Sequence, residues 1–170
     1  MNSEYFLTSD RIGFRTWSLD DMDHAMQLWG NEDVTKYIGG PFTLAQVHSK
    51  LSLEKKILRQ HKVQQWPIFN LKTNEFIGSC GLRPYKPNEG IFEIGAHIKK
   101  DLWQQGYALE SAQSVIEYSF SNLKVNALFA GHNPEHHTSK RLLHKLGFKY
   151  THDEYYEPTG LHHPSYILSK

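Results

Sequence analysis

The 170-residue sequence contains a single cysteine, Cys80, which excludes an intramolecular disulfide framework and a Cys-rich zinc site. It has no apolar run of the roughly 20 residues that a membrane-spanning helix needs. The opening MNSEYFLTSDR lacks the basic-then-apolar order of a secretory signal. An excess of one charge is missing too: nineteen Lys and Arg stand against eighteen Asp and Glu, so no global field draws the chain to nucleic acid or an anionic membrane. Any anion site must be local. With no repeat, low-complexity tract or linker either, the expectation is a cytoplasmic protein forming one domain over residues 1–170. Its 39% apolar and 13% aromatic content is enough for one buried core.

What is present reads as alternating strands and helices. RIGFRTWS (Arg11 to Ser18) alternates like a strand, and SLDD offers Ser18 as an N-cap with Asp21 three residues on. Met22, Ala25, Met26 and Trp29 then follow at helical spacing. Thr43 with Gln46 signals a second helix through Leu51 and Leu58, after the loop GGPF. From Trp66 the period changes. QWPIFNLK, the turn TNE and FIGSCGLRP read as a hairpin, and after KPNEG comes a third strand, IFEIGAHIK. Pro67 cannot donate to a ladder and belongs near a strand start or edge. Ala108, Ala112, Val115, Ile116, Ser119 and Phe120 mark the buried face of a long helix. NALFAGH is a short apolar strand, EHHTSKRLLHKLG a helix closed by a glycine, and the tail returns to strands. The order β-α-α-β-β-β-α-β-α-β-β predicts an α/β or α+β domain with a mixed sheet covered by helices.

Gly106, in DLWQQGYALESAQ, stands at the opening of the long helix, where glycine costs roughly 1 kcal/mol against alanine. Backbone N–H groups there have no intrahelical partner, and a missing side chain lets an anion approach them. Gly106 is therefore either an anion cradle or simply a tight turn. The eleven histidines include His136–His137 and His162–His163, but adjacent helical residues diverge by about 100° and HExxH is absent, so no metal site is expected. Lys140, Arg141 and Lys145 form a basic helix face that either touches phosphates or is solvated. Cys80 reads as packing.

The ordered set EIG (Glu93 to Gly95), WQQGYALE (Trp103 to Glu110) and HHTSKRLLHKLGF (His136 to Phe148) resembles the GNAT superfamily of N-acetyltransferases. The opening DRIGFRTWSLDDMDHAMQLWGNEDVTKYIGG is similar to its RimJ/RimL-like branch, so the resemblance covers nearly the whole chain. It implies a central mixed, mostly antiparallel sheet with a splayed strand pair, helices on both faces, and acetyl-coenzyme A (acetyl-CoA) in the gap. The pantetheine arm would pair with strand backbone around His97 and Ile98. The pyrophosphate would sit on N–H groups of Gln104, Gln105, Gly106, Tyr107, Ala108 and Leu109, beside Trp103. Asn133, His136, Ser139 and Lys145 complete the implied cofactor set. Three positions depart from the family pattern: Gln104 replaces a glycine of the branch, His136 an asparagine, and Leu143 the tyrosine that protonates the departing thiolate in many members.

Magnitudes bear on the chemistry. A thiol with pKa near 8.5 leaves readily at neutral pH, so the absent tyrosine is not disqualifying; Ser139 is the remaining donor, unless it only bonds its own helix. An attacking lysine amine near 10.4 needs about 3 to 4 pKa units of help at pH 7, roughly 4 to 5 kcal/mol, whereas an α-amine is partly neutral already. Glu93 would supply that help if desolvated and facing a cleft; the alternative is an acid paired to Arg83 or Arg15. The acceptor would meet Tyr37 to Phe42, Tyr85 to Glu89 and Glu154 to His163. The function expected is direct acetyl transfer to a primary amine, a protein N-terminus or a small molecule, in a ternary complex. The alternative is a non-catalytic coenzyme A (CoA) sensor on the same fold. The resemblance also raises a homodimer.

Overall fold

Two capping boxes set where the N-terminal helices begin. The computed structural model describes residues 4–170. In it the Ser18 hydroxyl accepts the Asp20 N–H while Asp21 Oδ2 accepts the Ser18 N–H, which opens a 3₁₀ turn leading into α1 (Met22–Trp29). Thr43 and Gln46 make the same reciprocal pair ahead of α3 (Leu44–His61), and the short α2 (Glu32–Thr35) lies between them. Strand β1 (Leu7–Thr8) precedes β2 (Ile12–Phe14). The strand expected over Arg11 to Ser18 is thus three residues long. Arg15 still donates its N–H to the Pro67 carbonyl, at 3.4 Å, but Pro67 has no N–H to return, and the Arg15 guanidinium turns to Asp21 with bonds of 2.9 and 2.8 Å.

The rest of the chain supplies β3 (Gln65–Asn70), β4 (Phe76–Lys86), β5 (Ile91–Ile98), α4 (Tyr107–Ser121), β6 (Ala127–Gly131), α5 (His137–Lys145), β7 (Lys149–Tyr156) and β8 (Leu161–Ser169). The sheet order is β1-β2-β3-β4-β5-β6-β8-β7, and only β5 and β6 run parallel. Pro67 is the third residue of β3 and faces β2 just past the last rung at Ile68, where its missing N–H ends the ladder while its carbonyl still accepts from Arg15.

Helices cover both faces. Ile94, Ile98, Ala112, Val115, Leu128 and Leu143 belong to one core cluster beneath α4 and α5. Trp17, Leu28, Trp29, Val47, Leu51 and Phe76 belong to another beneath α1 and α3. Cys80 is fully buried, and desolvation pushes its thiol to about 12, so it packs rather than reacts.

Burial pushes the Asp21 carboxyl up, but the hydrogen bonds from Arg15 and Ser18 outweigh it and hold its pKa below the ordinary carboxylate value. With both side chains mostly buried, removing Asp21 leaves Arg15 only the half-exposed Glu4, 3.3 Å away, at a cost of about 2 kcal/mol. Asp21→Ala should lose that much in urea unfolding at neutral pH. Because the folded-state pKa is depressed, the wild-type advantage should be complete above the unfolded-state value near 3.9 and disappear as pH falls through the folded one.

Candidate active site

The parallel ladder between β5 and β6 has three rungs, Ile91–Ala127, Phe92–Leu128 and Glu93–Phe129, and stops there. β5 continues with β4 as far as Ile98, while β6 turns to β8 through Gly131–Ser165. From Ile94 onward one edge of β5 therefore has no strand partner. Lys99 donates its N–H to Ile77 across β4, so strand alternation turns the backbone of Gly95 and His97 toward β4 and that of Ile94, Ala96 and Ile98 toward the gap. The Ile98 carbonyl already accepts the Trp103 indole N–H at 2.8 Å. Ile94 and Ala96 are left with backbone groups facing the gap. A cavity of about 250 Å³ opens here, and Glu93, His97, Asn133, His136, Ser139 and Leu143 all line it.

Above the gap, Gly106 caps α4 with φ +83°, and no side chain bonds the first N–H groups of the helix. The turn does not follow β5 directly, because a 3₁₀ turn over Lys100–Leu102 intervenes. Gln104 is also left-handed, at φ +62°, so this chain holds with glutamine the conformation that glycine adopts freely. Arg11 fastens the turn: its Nη1 donates to the Gln105 carbonyl at 3.0 Å and its Nε to Glu110 at 2.7 Å. A Cβ on Gly106 would lie 3.4 Å from Arg11 Nη2, which places a cation beside the free N–H groups. Sequence reasoning missed this role; Arg11 stands in the bend just before β2, with no spacing that links it to α4.

Glu93 lies at the closed end of the gap. Burial raises its pKa most, the Arg83 charge opposes this, and Glu154 adds to it. Neither paired alternative is realised as a close ion pair. Arg15 is engaged with Asp21, and Arg83, although opposite Glu93 in the ladder, turns its Nη2 to Glu54 at 3.6 Å. Tyr85 falls at the register shift between Pro84 and Lys86, a bulge that re-aims its ring. The ring stacks on Phe129 at 3.9 Å, and its hydroxyl donates to Glu154 at 3.0 Å.

His97 receives the Trp29 indole N–H on Nδ1, and burial, followed by the Arg83 and Lys50 charges, lowers its pKa to about 3. His136 stacks on Tyr37 at 4.4 Å and is lowered by burial to about 4. Both rings are neutral at pH 7. Ser139 Oγ is 2.8 Å from His136 Nδ1. The Asn133 amide is spent on the Tyr37 carbonyl and the Glu135 N–H.

The acetyltransferase (GNAT) domain family matches residues 11–149. The uncharacterized N-acetyltransferase p20 of Bacillus licheniformis is 31% identical over 145 residues, 84% of this chain and 82% of that protein. The chain belongs to the GNAT acetyltransferase family. Its fold is that of a GNAT-family acetyltransferase from Bacillus anthracis, with a TM-score of 0.82 at 21% identity over 96% of this chain and 97% of that one. RimL, described as a ribosomal L7/L12 alpha-N-protein acetyltransferase and solved with CoA, has a TM-score of 0.83 at 13% identity, over 98% of each chain.

The GNAT frame collects most of the expected residues and disperses a few. Glu93, His97, Asn133, His136 and Ser139 meet in one cavity, whereas Trp103, Gln104, Gln105 and Gly106 form an exposed turn beyond it, with Tyr107, Ala108 and Leu109 opening α4 behind them. Lys145 is exposed on α5 and does not line the cavity. Leu143 fills the core. Of the three segments expected to meet the acceptor, Tyr37, Ile38, Tyr85, Glu154, Tyr156 and His163 reach the cavity wall; a bulge brings in Tyr85 and the β7–β8 hairpin brings in Tyr156. Among the described residues no three His, Cys, Asp or Glu are grouped to hold a metal ion. Gly106→Ala should lower stability by about 1 kcal/mol in thermal unfolding, because the cost is the left-handed backbone rather than a clash, and Gln104→Gly should cost nothing.

Proposed function

We propose that the protein is an N-acetyltransferase of the RimJ/RimL-like type that moves acetyl from acetyl-CoA directly to a primary amine within a ternary complex. The observation that carries this reading is Glu93 at the closed end of the β5–β6 gap, without a close ion pair and with its pKa raised by burial. A pantetheine arm entering the gap would pair with the open backbone of Ile94 and Ala96 as an added strand, in place of the pairing at His97 that the family pattern suggests. The free N–H groups at the start of α4, with Arg11 beside them, suit a pyrophosphate.

The amine nitrogen then attacks the thioester carbonyl. The N–C bond forms, the C–S bond breaks, and the amine proton passes to Glu93, whose raised pKa makes it a stronger base than an exposed carboxylate. The sulfur departs as thiolate and takes its proton from water, while Ser139, bonded to the neutral His136, donates a hydrogen bond to it. An N-terminal α-amine or a small amine fits this scheme equally.

Calorimetric titration with acetyl-CoA should give saturable binding, and no binding at millimolar concentration would overturn the proposal. Glu93→Gln should lower kcat by about 10²-fold or more while leaving acetyl-CoA affinity nearly unchanged. In the wild type, kcat should rise with pH through a value above that of an ordinary glutamate. Ser139→Ala should cost about tenfold at most, because the thiolate is already a good leaving group. Binding without release of CoA, for every amine in a broad panel, would instead mark a sensor.

A further inference from the structure

The acceptor side of the cavity carries two cations that the transfer step does not use. Lys50 from α3 and Arg83 from β4 both line it. Lys50 makes no ion pair among the described residues; its Nζ lies over the rings of Phe42 and Trp29, at 4.4 and 5.6 Å. Burial lowers its pKa, and the Arg83 charge lowers it further. Arg83 reaches one carboxylate, Glu54 Oε1, at a loose 3.6 Å, and its buried Nε has no partner. Glu54 also spends Oε2 on the Gln65 N–H. Glu93, opposite Arg83 in the ladder, feels its charge without a close contact, so among the described residues neither cation has a carboxylate within ordinary hydrogen-bond distance.

His97 adds a neutral donor to the same region. The Trp29 indole can only donate, so His97 Nδ1 must accept and the ring proton is fixed on Nε2. Between His97 and Glu93 on this face of β5 stands Gly95, whose missing side chain makes room for the Gln65 amide, since a Cβ there would lie 2.9 Å from Gln65 Nε2. The acids, Glu93 and the Glu154 that holds Tyr85, suit the amine; Lys50, Arg83 and His97 suit an anion.

Resting on the acetyltransferase reading above, we infer that the acceptor is a small amine that also bears a carboxylate, an amino acid in chemical class. Lys50, Arg83 and the His97 Nε2–H hold its carboxylate while its amine faces Glu93. A bare amine would leave Lys50 and the Arg83 Nε–H without a close partner, whereas a carboxylate gains charge-assisted hydrogen bonds from them in a partly desolvated site.

The test assays CoA release with the common amino acids, their carboxamides and the matching amines that lack the carboxyl group. For the preferred acceptor, kcat/KM should favour the acid over its carboxamide by about tenfold or more. Lys50→Met should remove most of that preference without changing acetyl-CoA affinity, and Lys50→Arg should restore it. Calorimetric binding of the N-acetylated amino acids in the presence of CoA reads the same site without turnover, and should be about tenfold weaker in Lys50→Met. Equal use of acid and carboxamide by the wild type, or equal loss of both in Lys50→Met, would overturn the carboxylate site and leave the acetyltransferase reading standing. Failure to bind acetyl-CoA would overturn both.

Discussion

The parting of β5 from β6 after Glu93 and Phe129 is the constraint on which the rest of the site depends. Two parallel strands that stayed paired to their ends would bury every backbone group between them. Here the ladder is stopped after three rungs, because β4 carries β5 one way while β8 takes β6 the other. The closed end is braced by Tyr85, a bulge residue that stacks on Phe129 of β6 and bonds Glu154 of β7, so four strands meet at the point of divergence. Everything assigned to the reaction is measured from that point. Glu93 sits at it, Ile94 and Ala96 open beyond it, and Gly106 caps the helix above it.

Burial sets the chemistry of the cavity as much as residue identity does. The same loss of water raises Glu93 and lowers His97 and His136, leaving a stronger base beside two neutral imidazoles. Neutral imidazole can pass a proton or donate one hydrogen bond without adding charge. The fixed cations are left to Lys50 and Arg83, so the field across the acceptor side has a definite direction.

Local elements were legible where the signal is local. Ser18–Asp21 and Thr43–Gln46 announce helix starts through side chains three residues apart, and both boxes are present. The hairpin around TNE, the strand of Glu93 and the glycine cap of α4 follow from turn chemistry and alternation. The short β2 was not legible, since what ends it is Pro67 on the neighbouring strand, which accepts from the Arg15 N–H and has none to return. Nor was the role of Arg11, whose partners on α4 stand about a hundred residues away in the chain, Glu110 among them at a separation of 99. Gln104 looked like a loss of flexibility, yet the turn keeps its left-handed geometry with glutamine in it.

By itself the sequence determined the order of strands and helices apart from the two-residue β1 and the one-turn α2, the family resemblance and the short roster of candidate residues, because periodicity, caps and motif spacing act over a few residues. Only the tertiary structure decided which of them share a cavity, which charges are balanced and which backbone groups stay open. Those outcomes depend on strand register and on water being excluded by residues distant in the chain, neither of which any local pattern encodes. Glu93 shows the division: its position on a strand is a matter of sequence, and its raised pKa comes from the walls that α3, β4 and β7 raise around it.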